Sequence, residues 1–300
     1  MRISTNTLYE QGVARISEVQ SGLAKTQQQL ATGRRILTPA DDPIAAARAL
    51  EVAQSQAVNA QFAINRQTAV GSLNAVENTL TGVTSMLQDA RVIAINAGNA
   101  TLTDEERGYL ATELRGRFDG LLALANTTDG TGNYLFSGYQ VTKQPFVQTL
   151  PGVVQYMADQ GQRQLQVDSA RQMAISDSGQ RVFQGGNQDI FKTLNDLITL
   201  LETPGTATLS TGLATATGAI DKALDNVLTV RASVGSRLKE LDALDSTGQD
   251  RDLQYSQVLS QLQDLDYAQA ISQLSQQQVT LEAAQKSFLK TSGLSLFNFL

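Results

Sequence analysis

The 300-residue chain contains no cysteine, no histidine and no tryptophan. Without cysteine it forms neither disulfides nor thiolate metal sites and is indifferent to redox compartment. Without histidine it lacks the usual general base near neutral pH, and zinc loses both of its preferred ligand types. Aromatic residues are only 5% of the chain, so its core must be aliphatic and thin, as between long helices. Charged residues are 17%, and the polar surface is built instead from Gln, Asn, Ser and Thr. Such a surface resists close contact weakly, which suits a protein that packs against copies of itself. The net charge is −6 with no basic stripe, which removes the electrostatic basis for a nucleic-acid partner. No run of 18 apolar residues occurs, so no membrane-spanning helix is expected. No apolar stretch follows Arg2, so the start does not read as a secretory signal, and by that rule alone the chain is expected in the cytoplasm.

What the chain does have is heptads. Near its start, Tyr9, Ile16, Leu23 and Leu30 recur every seventh residue, with Gly12, Val19 and Thr26 between them. Near its end, Tyr267, Leu274, Leu281 and Phe288 repeat the pattern, with Ile271, Gln278 and Gln285 in the intermediate places. A stripe of this period keeps one helical face turned toward a partner helix. Two such seams at opposite ends pair with each other only if the chain doubles back; otherwise they pair with other molecules.

Between them the chain divides into helices, a change of texture, and helices again. Residues 4–33 read as a first helix, and the connector 34–42 ends in Asp42-Pro43, a carboxylate cap followed by a first-turn proline. From Pro43 to Ala97 no further proline occurs, and Leu73, Leu80 and Leu87 alternate with Ala69, Val76, Val83 and Ala90 on one face. Gly71 and Gly82 are places where that helix could bend. Thr103 and Glu106 have the spacing of a capping box and open a helix to about Asn126. From Thr127 to Phe183, turn clusters separate short alternating runs such as 153–156 and 164–167, and Tyr134, Phe136, Tyr139, Phe146, Tyr156 and Phe183 fall here. These are strand signals, and the aromatics are expected to form a small core of their own. Helix resumes at Asp189, and after 203–206 a third ladder runs through Leu213, Ile220, Val227, Val234 and Leu241. Ser246-Thr247-Gly248 is expected to break it before a last helix over 250–290.

The fold class expected is therefore mainly α with a small β-rich insertion (α+β): a long antiparallel helical rod with terminal coiled-coil segments and a central β domain. Its divisions are 1–42 (terminal helix and connector), 43–130 (first half of the rod), 131–186 (β-rich outer domain), 187–248 (second half of the rod) and 249–300 (terminal helix and apolar tail).

No catalytic, cofactor or metal site is expected. Asp41 and Asp42 are adjacent carboxylates, but neighbours in sequence point different ways and capping accounts for Asp42. Gly130-Thr131-Gly132 misses dinucleotide-binding spacing and reads as a turn. Glu105-Glu106-Arg107 is a charged first turn suited to the helix dipole.

Three stretches resemble the flagellin superfamily of bacteria. The first runs from Met1-Arg2-Ile3-Ser4-Thr5-Asn6 through Leu30-Ala31-Thr32-Gly33-Arg34-Arg35-Ile36 to Pro39-Ala40-Asp41-Asp42-Pro43. The second is Tyr134-Leu135-Phe136-Ser137-Gly138. The third is Arg231-Ala232-Ser233-Val234-Gly235-Ser236-Arg237-Leu238, with the ending Leu294-Ser295-Leu296-Phe297-Asn298-Phe299-Leu300. Within that superfamily the prolines flanking the Asp pair, the Phe-Ser-Gly entry and the aromatic ending resemble the hook–filament junction branch, with self-polymerising flagellin as the alternative. The resemblance implies an extracellular, axial flagellar protein exported unfolded by the type III route without a cleaved signal. It implies a ring of copies between hook-associated protein 1 and the first flagellin subunits, an export chaperone holding the C-terminal region, and neither enzyme activity nor cofactor.

On that footing the subunit-interaction residues are Tyr9, Ile16, Val19, Leu23, Leu30, Tyr267, Ile271, Leu274, Leu281 and Phe288. The grip for chaperone and tube core is Leu294, Leu296, Phe297, Phe299 and Leu300. With Gly12, Thr26, Gln278 and Gln285 in seam places, the terminal helices are expected to be largely disordered alone and to fold as neighbours surround them.

Overall fold

The computed structural model describes residues 5–205 and 208–297. Its elements, in chain order, are α1 (Thr5–Thr32), α2 (Pro43–Ala97), α3 (Asp104–Ala125), β1 (Phe146–Leu150), β2 (Val153–Tyr156), β3 (Gln164–Asp168), β4 (Arg171–Ala174), α4 (Gly179–Phe183), α5 (Ile190–Glu202), α6 (Leu209–Gln263) and α7 (Tyr267–Phe297). The mainly α class with a small β part is as expected. The chain forms two compact units: one joins the stretch ending at Val58 to the stretch beginning at Asp250, and the other is Asn59–Gln249.

The caps set the helix starts. Asp42 accepts the Ala45 amide at 3.0 Å and so opens α2 behind Pro43. Thr103 and Glu106 close the reciprocal capping box at α3. The α2 helix is unbroken over 55 residues. At Gly82 a Cβ would stand 3.1 Å from Leu124 Cδ1, so glycine there lets α3 approach rather than bending α2.

In the Asn59–Gln249 unit both expected ladders face one core. Ala69, Leu73, Val76, Leu80, Val83, Leu87 and Ala90 of α2 are buried, and so are Leu213, Ile220, Val227, Val234 and Leu241 of α6. They share that core with Leu114, Phe118 and Leu121 of α3 and Leu194 and Leu197 of α5.

The β segment is two separate antiparallel hairpins. Phe146 of β1 lies opposite Tyr156 of β2, and Gln164 of β3 lies opposite Ala174 of β4. Its aromatics cluster as expected, Phe136 with Phe183 at 5.3 Å and Phe146 with Tyr156 at 5.1 Å, but the cluster is continuous with the helical core. Phe146 packs on Phe183 at 5.1 Å and on Phe191 of α5 at 5.2 Å, and Phe191 meets Phe118 of α3 at 5.8 Å. Strands this short cannot bury an aromatic cluster between them, so the helices supply the other side, and Tyr139 is left exposed.

The Arg231 to Leu238 segment locks this arrangement. Arg231 donates to Glu77 of α2 at 2.6 Å, and Arg237 donates to the Ala174 carbonyl at 2.8 Å and to Asp177. Asp177 is fully buried and is also met by Arg181 at 3.1 Å and by Gln162 at 2.8 Å.

The expected break at Ser246-Thr247-Gly248 does not occur: α6 continues to Gln263. Gly248 is needed there for close approach, since a Cβ would lie 2.3 Å from an Arg66 guanidinium nitrogen. Asn59 of α2 also donates to the Gly248 carbonyl at 2.8 Å. The reversal falls instead at Asp264-Leu265-Asp266, where Asp266 caps α7 by accepting the Gln269 amide at 3.1 Å.

Candidate assembly surface

The candidate site is the pair of terminal helices, α1 and α7, which run antiparallel. Phe288 lies over Gly12, Gln277 faces Gly22, and Tyr267 sits against Gly33. Tyr9 extends the first contact, its ring 5.1 Å from that of Phe288. The two chain reversals are stitched together at the other end. Leu265 donates to the Gly33 carbonyl at 3.0 Å and Arg35 donates to the Gln263 carbonyl at 2.7 Å, with Arg34 bridging Asp264 between them.

The sequence-derived residues fall into two groups. Ile16, Val19, Leu23, Leu30, Leu274, Leu281 and Phe288 lie half-buried, whereas Tyr9, Tyr267 and Ile271 are exposed. On α7 the less exposed positions are Ala270, Leu274, Gln277, Leu281, Ala284 and Phe288. The intermediate places thus belong to Ala270, Gln277 and Ala284 rather than to Ile271, Gln278 and Gln285. Gly12 and Gly22 make room on α1 for Phe288 and Gln277 of α7, while Ile271, though more apolar than Ala270, stands exposed. The small residues were legible in the sequence, but a search for large apolar residues passes over them. Leu294, Leu296 and Phe297 belong to the last turns of α7; Phe299, Leu300 and the side chains of the whole tail lie outside the described residues.

The pair is thin. Among the described residues of α1 and α7, only Thr26 and Ala270 are buried. Val13, Ile271 and Val279 stand exposed, Val279 by 67%. Ile44, Leu50, Leu253 and Val258 of the same unit are exposed too.

The connector is fixed by its carboxylates. Asp41 meets Lys25 of α1 at 2.6 Å and accepts the amides of Leu37 and Thr38. The Lys25 hydrogen bond, helped by those amides, pulls its pKa down to about 2. Asp42 is lowered chiefly by the Ala45 amide and also by Arg35 at 3.3 Å. Both carboxylates therefore work as caps and ion-pair partners. Asp129 likewise closes the Gly130-Thr131-Gly132 turn on itself, accepting the Thr131 and Asn133 amides at 2.9 Å. Among the described residues no group of three or more acidic, histidine or cysteine side chains is placed to hold a metal, and no helix is long and apolar enough to cross a membrane. What this surface can do is pack.

Helices of this kind, paired at the two ends of a chain and flanking a small β insertion, define a flagellin-like protein, and the family model for the bacterial flagellin N-terminal helical region matches residues 3–141. Over 317 aligned positions the chain is 39% identical to flagellar hook-associated protein 3 of Salmonella typhimurium, covering 99% of each. Its fold is similar to the crystal structure of flagellar hook-associated protein 3 from Legionella pneumophila (TM-score 0.65, 21% identity, 70% of this chain and 98% of that one). Similarity to flagellin itself is partial: 25% identity to the Listeria monocytogenes protein over 131 residues, which is 43% of this chain and 45% of that one. The chain belongs to the flagellar hook-associated protein 3 family. Its place is in the bacterial flagellum.

Proposed function

We propose that this protein is the adaptor between hook and filament. Copies form a ring on hook-associated protein 1 at the distal end of the hook and present the surface on which the first flagellin subunits assemble. The observation that carries this reading is the thin α1–α7 pair, which leaves Tyr9, Val13, Ile271 and Val279 exposed in helices with little burial of their own. Ordering each residue costs about 1–2 kcal/mol of backbone entropy, against about 25 cal/mol per Å² of apolar surface buried. A two-helix seam whose large apolar side chains are only half-buried and are interrupted by glycine, alanine, threonine and glutamine recovers little of that cost. Neighbouring copies supply the missing burial, so that ordering of the terminal helices and assembly are coupled.

The same weakness serves export. A chain whose ends are marginally folded passes unfolded through the type III apparatus, with an export chaperone covering the C-terminal region until release outside the cell. The role calls for neither catalysis nor cofactor, in keeping with a chain devoid of histidine and cysteine.

Two experiments test the proposal. Deleting Leu294 to Leu300 should leave the Asn59–Gln249 unit folded and abolish incorporation at hook tips, seen by electron microscopy; normal motility would contradict the proposal. Incubating purified protein with filament seeds should add no length, because an adaptor stops after one ring. Continued elongation would point to a filament subunit instead.

A further inference from the structure

The seam of the terminal pair carries two aromatic side chains seated on glycines. A Cβ at Gly12 would lie 2.6 Å from Phe288 Cδ2 and 2.9 Å from Cε2, closer than a side chain tolerates. A Cβ at Gly33 would lie 2.7 Å from the Tyr267 hydroxyl oxygen. Gly33 also has φ +68°, a conformation that L side chains rarely adopt. Gly12 and Gly33 stand three heptads apart, and so do Tyr267 and Phe288. The two glycine sockets therefore match the two aromatic knobs in one antiparallel alignment.

We infer that Gly12 and Gly33 are positioning residues that fix the register of α1 against α7 by receiving Phe288 and Tyr267. A heptad repeat by itself leaves register open, because a slip of seven residues returns seam residues to seam places. The sockets remove that freedom. A slip of one heptad in one direction brings Phe288 opposite Val19 and carries Tyr267 from Gly33 to the level of Ala40 in the connector. The opposite slip sets Tyr267 against Thr26, which is already buried. Either slip also takes Asp264 and Leu265 away from Arg34 and Gly33, undoing the backbone stitch that joins the two reversals. Register decides which side chains stand together on the outside of the pair. With the sockets filled, Tyr9 and Val13 lie near the Phe288 end and Tyr267 and Ile271 near the Gly33 end. This inference rests on the assembly reading for its purpose, but its physical content is a property of the single chain.

The chain has no cysteine, so introduced pairs are the only thiols present. The in-register pair is Gly22→Cys with Gln277→Cys, since the glycine's Cβ position lies 3.4 Å from the glutamine amide nitrogen. The out-of-register pair is Gly22→Cys with Ala284→Cys, one heptad away. On oxidation of the purified full-length protein, the first should cross-link over the second by roughly tenfold. Adding Gly12→Val should cut that ratio several-fold, and adding Phe288→Ala to Gly12→Val should raise it again. A substitution that merely loosened the helices would lower both cross-links together and leave their ratio alone. Equal yields from the two pairs, or a ratio indifferent to Gly12→Val, would overturn the inference. Because the ratio is read on the isolated chain, absence of the protein from hook tips would sink the junction proposal without touching this one.

Discussion

The ladder of α6 and the ladder of α7 share the same seven-residue period, yet the structure treats them differently. Leu213, Ile220, Val227, Val234 and Leu241 are all buried. On α7, Leu274, Leu281 and Phe288 are half-buried and Tyr267 is exposed. The difference lies in the number of neighbours. Residues from α2, α3 and α5 join α6 in one core. The seam of α7 meets α1, and among the described residues of that pair only two side chains are buried. Heptad period reports which face of a helix is apolar. It does not report how many helices cover that face; under the function proposed above, neighbouring copies would make up the shortfall.

The sharpest way to break the comparison is to make the same kind of truncation on each side of it. Ile220→Ala, in the core, should destabilise the protein by about 2–5 kcal/mol in urea unfolding, because a fully buried side chain leaves a cavity. Leu274→Ala, in the half-buried seam, should cost well under about 1 kcal/mol in the isolated protein while sharply reducing incorporation at hook tips. Equal losses in the isolated protein would mean that the terminal pair is as complete as the core. Hydrogen exchange should agree, with 5–32 and 267–290 exchanging far faster than the α6 core in solution and slowing on assembly. Strong protection of both terminal helices in the isolated chain would defeat coupled folding.

The buried ion pair comes next. Arg237→Met leaves Asp177 buried with Arg181 as its remaining cation and should cost about 3 kcal/mol. The loss should appear first as faster exchange in β3 and β4, because Arg237 also holds the Ala174 carbonyl. Smaller again is Thr103→Ala, which opens the capping box of α3 and should cost about 1 kcal/mol by thermal unfolding.

Much of this architecture was legible in the residues. The α2 and α6 ladders, the Asp42 cap and the Thr103–Glu106 box are local patterns, and local patterns survive in the fold. The misreadings came from contacts between residues distant in sequence. Ser246-Thr247-Gly248 reads as a breaker until Arg66 and Asn59 of α2 are seen against Gly248. The true reversal, Asp264-Leu265-Asp266, holds neither glycine nor proline and is betrayed only by an aspartate able to cap the start of α7. Phe118 and Phe191 gave no sign that they would complete the aromatic cluster of the β segment. The α7 seam was placed one residue off at every second position: Ile271 outranks Ala270 in apolarity, yet Ala270 is buried and Ile271 stands exposed.

The smallest expected effect sits where the terminal helix meets its connector. The Asp41 pKa is pulled to about 2 by Lys25 and by the amides of Thr38 and Leu37. A group whose pKa is lower folded than unfolded binds fewer protons folded. Its stabilising contribution is therefore complete above the ordinary carboxylate value near about 4 and is lost as pH falls from there through about 2. Asp41→Asn removes the carboxylate in both states. The variant and the parent should then differ in protection of the 33–42 connector at neutral pH, and their acid-unfolding curves should converge as pH approaches about 2. Because the Lys25 side chain is about half exposed, added salt should shrink the neutral-pH difference by screening it, while the part owed to the two backbone amides persists. A difference that grew on acidification would assign the connector's order to something other than Asp41.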